Sequence, residues 1–168
     1  MNYTEEELRY LRVLSQQFPT IAAAASEIIR IEAITRLPKG TEHFMSDLHG
    51  ENEAFLHILN SASGVIREKI DQVLGEDVPA AERAELATLV YYPVQKLPEL
   101  KAAQQDLGAW YRKTLLRLIE VCRLVSSKHT RAHVRRCLPK SCAYILDELL
   151  HAHFEDHDKD LYYGQIIE

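Results

Sequence analysis

The chain has 168 residues and a mass of 19.3 kDa, which fits one domain and argues against two independent cores. Hydrophobic residues make up 46% and charged residues 27%, a balance that excludes a disordered chain. Twenty Lys and Arg against 25 Asp and Glu give a net charge of -5, the wrong sign for a polyanion-binding protein, so no nucleic-acid partner is expected.

No apolar run reaches the length of a membrane span, and the opening MNYTEEELRY is polar and acidic where a signal peptide is basic and then apolar. No membrane partner is expected. Cys122, Cys137 and Cys142 are odd in number and lack metal-finger or CxxC spacing, so they read as buried thiols of a reducing compartment. The expected location is the cytoplasm.

In chain order, Thr4 to Glu7 has the form of a capping box, and Leu8, Leu11, Leu14 and Phe18 follow on one face of a first helix. Pro19-Thr20 breaks it, and a second helix is predicted from Ile21 to Arg36. Leu37-Pro38-Lys39-Gly40 is a stop. Thr41 to Ser46 is short, lies between Gly40 and Gly50, and is the one predicted strand. Helical periodicity returns after Gly50 through Phe55, Ile58 and Leu59. Further helices are predicted near Ile66 to Leu74 and from Pro79 to Val90, with Tyr91-Tyr92-Pro93 as a connector.

The longest predicted helix runs from Pro98 to Val125, carried by Leu100, Ala103, Leu107, Tyr111, Leu115 and Leu118 at spacings of three or four. Two shorter helices follow, over Lys128 to Cys137 and Pro139 to Phe154. The run from Leu161 to Glu168 reads as the opening of another helix without a stop signal, from which we expect a piece of a longer protein. The predicted organisation is a helical segment over 1–36, a strand–loop–helix over 37–60, and a helical cap over 61–168.

The chemistry is expected at Ser46-Asp47-Leu48-His49-Gly50. In a strand, residues two apart share a side, so Asp47 and His49 would face one point while Leu48 turns inward. A carboxylate oxygen and an imidazole nitrogen so placed suit a divalent ion. The helix after Gly50 would present free N–H groups to a phosphate.

Other signals read more simply as structure. His151, His153 and His157 read as a solvated helix end; Lys128, Arg131, Arg135 and Arg136, with His129, His133 and Lys140, read as a solvated or docking face, the alternative being an effector or sugar-phosphate site. Tyr91, Tyr92 and Trp110 read as packing, with the tyrosine hydroxyls needing partners, and His43 and His57, which flank the motif, read as ordinary partly buried residues, the alternative being contact with substrate or with the metal ligands.

Ser46-Asp47-Leu48-His49-Gly50 resembles the first motif of calcineurin-like metallophosphoesterases. Leu37 to Phe55, Leu89 to Pro93 and Ser126 to Arg131 are, in that order, similar to the N-terminal part of bacterial class III fructose-1,6-bisphosphatases. The resemblance implies a mainly α chain that contains the opening strand–loop–helix of an α/β metallophosphoesterase domain. It implies hydrolysis of the 1-phosphate of fructose 1,6-bisphosphate in gluconeogenesis, by water activated on a two-metal manganese centre with Asp47 and His49 as metal ligands. The expected partners are a sugar-phosphate substrate and the remainder of a parent chain, and a homo-oligomer is compatible with the sequence. The later metal motifs, Gly-Asp-x-x-Asp-Arg-Gly and Gly-Asn-His-Asp, do not occur in these residues, so the chain alone is expected to be inactive. The alternatives are a non-catalytic helical interaction module and another metallophosphoesterase, such as a dinucleoside polyphosphatase or a phosphoprotein phosphatase.

Overall fold

The computed structural model describes residues 3–40, 42–152 and 159–168, in which ten α-helices account for all regular structure. The chain divides into two compact units, Met1–Lys39 and Gly40–Glu168.

The first unit holds α1 (Glu5–Gln17) and α2 (Ile21–Thr35). The capping box forms as expected: the Glu7 N–H donates to Thr4 Oγ1 at 3.2 Å, and the Thr4 N–H donates to Glu7 Oε2 at 2.7 Å. Thr20 caps α2 by accepting from the Ala23 N–H at 3.1 Å. Neither helix buries a residue, and Leu8, Leu11, Ile28 and Ile31 are all exposed.

The second unit begins with an irregular segment. The strand predicted over Thr41 to Ser46, and with it the α/β opening, is overturned: residues 42–48 have no regular structure, and no strand occurs among the described residues. A strand is held by hydrogen bonds to a neighbour, and here the described residues provide none. Leu48, expected inside, is 44% exposed.

Helices α3 (Asn52–Ser61), α4 (Val65–Leu74), α5 (Ala80–Tyr91) and α7 (Leu107–Ser126) pack together, α4 against both α5 and α7. Their core is Ile70, Leu74, Leu86, Ala87 and Val121, flanked by Ile66, Val73 and Leu118. The Arg83 guanidinium braces the α4–α5 connection by donating to Asp71 Oδ1 at 2.6 Å and to the carbonyls of Gly75 and Val78. Glu82 on α5 accepts from Lys113 and Arg117 on α7, each at 2.8 Å.

The single long helix predicted from Pro98 to Val125 is two helices. The first, α6, spans Pro93–Ala102, with Pro93 in its first turn and Pro98 inside it. The chain then breaks, and Asp106 restarts α7 by accepting from the Ala109 N–H at 3.0 Å. The apolar spacing continues across the break, which is why periodicity alone joined the two.

Helices α8 (Arg131–Cys137), α9 (Ala143–Leu150) and α10 (Asp160–Ile167) complete the unit. Leu149 is 1% exposed, and Tyr163 of α10 is also buried. Cys122 and Cys137, read from the sequence as buried, are exposed.

Asp147 on α9 is the buried charge of this part of the fold. It accepts from Arg135 Nε at 3.0 Å and Nη2 at 2.7 Å, Arg131 lies at 3.5 Å, and His151 Nδ1 lies 3.3 Å from its other oxygen. The Arg135 hydrogen bond, helped by the charges of Arg135, Arg131 and His151, holds its carboxyl below the ordinary range, against the opposing effect of burial. A carboxyl depressed in the fold takes its proton first in the unfolded chain. Its stabilisation is therefore complete above about pH 4 and is lost as pH falls through the folded value. Asp71, held down by Arg67 and then Arg83, and Glu82, held down by Lys113 and then Arg117, act with the same sign. Acid unfolding followed by circular dichroism is expected to begin below about pH 4. Asp147→Asn should shrink that acid-labile share of stability, and an unchanged acid profile in the variant would disprove the linkage.

Candidate functional site

The residues from Glu42 to Gly50 are exposed along their whole length. The chain turns where Leu48 O accepts from the Glu51 N–H at 2.9 Å, and the two central residues of that turn, His49 and Gly50, have φ of 48° and 76°. Gly50 meets this need without steric cost, and His is among the few other residues that enter the left-handed region with any frequency. Asp47 therefore lies just before a tight turn and His49 within it. The strand alternation that was to aim both at one point does not operate. Both side chains are exposed, on one short segment, with their relative aim set by the turn.

The turn leads directly into α3, whose N-cap residue, Glu51, makes no side-chain capping bond. Glu51 and Glu53, the nearest carboxylates in sequence, are exposed. Among the described residues, no three His, Cys, Asp or Glu side chains are grouped so that they could hold a metal ion. Asp47 and His49 thus supply at most part of a donor set, and a two-metal centre does not fit these residues alone.

The structure adds a feature that the sequence did not reveal. His57 on α3 shares a hydrogen bond with Tyr92 between Nδ1 and Oη at 2.6 Å. The Tyr92 ring lies nearly parallel to the imidazole at 6.0 Å, and Tyr91 meets it edge-on at 5.8 Å. The backbone beside this trio is strained at Ala62 and Ser63, whose φ are 48° and 53°, and Gly64 follows at 87°, an angle that glycine adopts freely. His57, Tyr91, Ser61 and Ser63 line an open cleft of about 450 Å³, whose other wall is His43, Phe44 and Met45, the residues that lead into the Asp47 turn. An imidazole–phenol pair beside aromatic and hydroxyl groups offers both apolar contact and hydrogen bonds. The hints in the sequence were that His57 flanks the Asp47 motif and that the tyrosine hydroxyls need partners.

The basic stretch around α8 is partly occupied. Arg131 and Arg135 are directed at Asp147, so these two guanidinium groups are not open forks for a phosphate. His153 and His157 lie outside the described residues.

Residues 9–168 match the model of the Firmicute fructose-1,6-bisphosphatase family. The chain belongs to that family. It is 51% identical over 167 residues to the fructose-1,6-bisphosphatase class 3 of Clostridium novyi (strain NT), covering 99% of this chain and 25% of the relative. It is also 51% identical over 168 residues to the enzymes of the same name from Clostridium botulinum strains Loch Maree and Hall, covering all of this chain and 25% of each relative. The chain thus spans about a quarter of the length of the curated relatives it matches. No solved structure matches it. The family match takes in Asp47 and His49, the Tyr91-Tyr92 pair and the Ser126 to Arg131 segment alike.

Proposed function

We propose that this chain is the N-terminal part of a longer cytoplasmic polypeptide that hydrolyses the 1-phosphate of fructose 1,6-bisphosphate with the help of manganese. The observation that carries the reading is the family match over residues 9–168, together with 51% identity along the whole chain to proteins named for that activity. Asp47 and His49 would each lend one donor to the ion, a carboxylate oxygen and an imidazole nitrogen. The remaining donors would come from outside these 168 residues, because the described residues offer no larger donor group. The 168-residue chain by itself would then bind manganese weakly and turn over no substrate.

The test compares two proteins. The longer polypeptide should release phosphate from fructose 1,6-bisphosphate with manganese present and stop when a chelator removes the ion. The 168-residue chain should release none, and calorimetric titration with manganese should show weak binding or none. A longer polypeptide that is silent on this substrate would sink the reading and favour a helical interaction module. Turnover by the short chain alone would refute the shared donor set.

A further inference from the structure

Among the described residues, the first unit leaves its apolar side chains without cover. Leu8 and Leu11 share one face of α1 and are exposed, and in α2 Ile21, Ile29 and Ile28 are 91%, 67% and 57% exposed. The half-covered residues of these helices and of the bend between them are Leu14, Phe18, Ala23, Ala24 and Glu27, all close to the bend. At 3.6 residues per turn, the five isoleucines of α2 spread over more than half of its circumference. Glu27, which pairs with Arg30, and Glu32 are the charges within that arc. A helix apolar over so wide an arc belongs inside a folded protein. Nor can α2 stand on intrinsic propensity: 15 residues is marginal for an isolated helix, and the branched isoleucine side chain loses rotamer freedom in one.

The length of the relatives indicates what covers this surface. The family match takes in all of α2 and α1 from Arg9 onward, so both helices are part of what the family shares. About three quarters of each relative's length lies outside the region that this chain covers. A second copy meeting α2 across a two-fold axis would cover one stripe of it and leave other isoleucines in water. A tethered segment can enclose more of the helix, and it competes at an effective concentration of about millimolar. We propose that the exposed faces of α1 and α2 form an intramolecular docking surface for the part of the longer polypeptide outside these 168 residues. That part presents an apolar groove deep enough to enclose α2 on several sides. The inference rests on the longer-polypeptide part of the reading above and not on its chemistry.

The test is hydrogen–deuterium exchange, read peptide by peptide, on the longer polypeptide and on the 168-residue chain. Amides of Ile21–Thr35 should exchange at least about 100-fold more slowly in the longer polypeptide, at every protein concentration over about a hundredfold range. Ile28→Lys/Ile29→Lys in the longer polypeptide should remove most of that protection, although lysine forms helix at least as well as isoleucine. Amides of Val65–Leu74 should stay slow in the variant, the check that the second unit remains folded. Equal exchange in the two proteins, slowing that appears only as concentration rises (the mark of a second copy), or undiminished protection in the variant overturns the proposal. Phosphate release is read separately. A protected α2 in a polypeptide silent on fructose 1,6-bisphosphate removes the phosphatase reading and leaves the docking, and an unprotected α2 in an active polypeptide does the reverse.

Discussion

Ile70→Ala is expected to destabilise the second unit by about 3–4 kcal/mol, within the range for deleting a fully enclosed aliphatic side chain. Ile70 has no exposed surface and sits in the core with Leu74 of the next turn of α4, Leu86 of α5 and Val121 of α7. Truncation removes three carbon atoms from contact on every side, and well-packed helices close such a void only in part. The single tryptophan, Trp110 on α7, belongs to this unit and reports its unfolding in urea by fluorescence. A loss below about 1 kcal/mol would mean that the core around Ile70 collapses freely, contrary to the packing described.

Asp47→Ala in the longer polypeptide is expected to lower phosphate release more than about 100-fold, beyond the loss typical of residues that only support a metal ligand. The expectation follows from the proposed role: a carboxylate that touches the ion cannot be replaced by a methyl group without losing a donor and a negative charge together. The exposure of Asp47 sharpens the test, because an alanine there should leave stability within about 0.5 kcal/mol of wild type. Lost activity with intact stability and reduced manganese affinity would establish the role. Full activity in the variant would end it.

Much of the helical order was legible in the residues. Thr4, Thr20, Gly50 and Pro79 mark helix starts through local chemistry that needs no distant partner. That residues 42–48 form no strand was not legible, because extended chain becomes a strand only when another strand is beside it. The division between α6 and α7 was hidden for a different reason: Leu100, Ala103 and Leu107 keep helical spacing across an interruption that depends on the Asp106 cap.

At the site, the identities of Asp47 and His49 could be read from the sequence, but their mutual aim could not. That aim depends on the backbone of one residue, His49, which the sequence pattern treated as ordinary. The His57–Tyr92 pair joins residues 35 positions apart and exists because α3 packs on α5, a fact of tertiary structure.

The left-handed backbone at position 49 also narrows which residues evolution or an engineer could install there. Glutamate and cysteine can coordinate metals but fit this corner poorly, whereas asparagine suits the corner and binds a cation only weakly. Apart from histidine, aspartate alone meets both demands, and it would exchange a neutral nitrogen donor for an anion. The backbone angle thus acts as a filter on chemistry at this position, independent of whatever the side chain contacts.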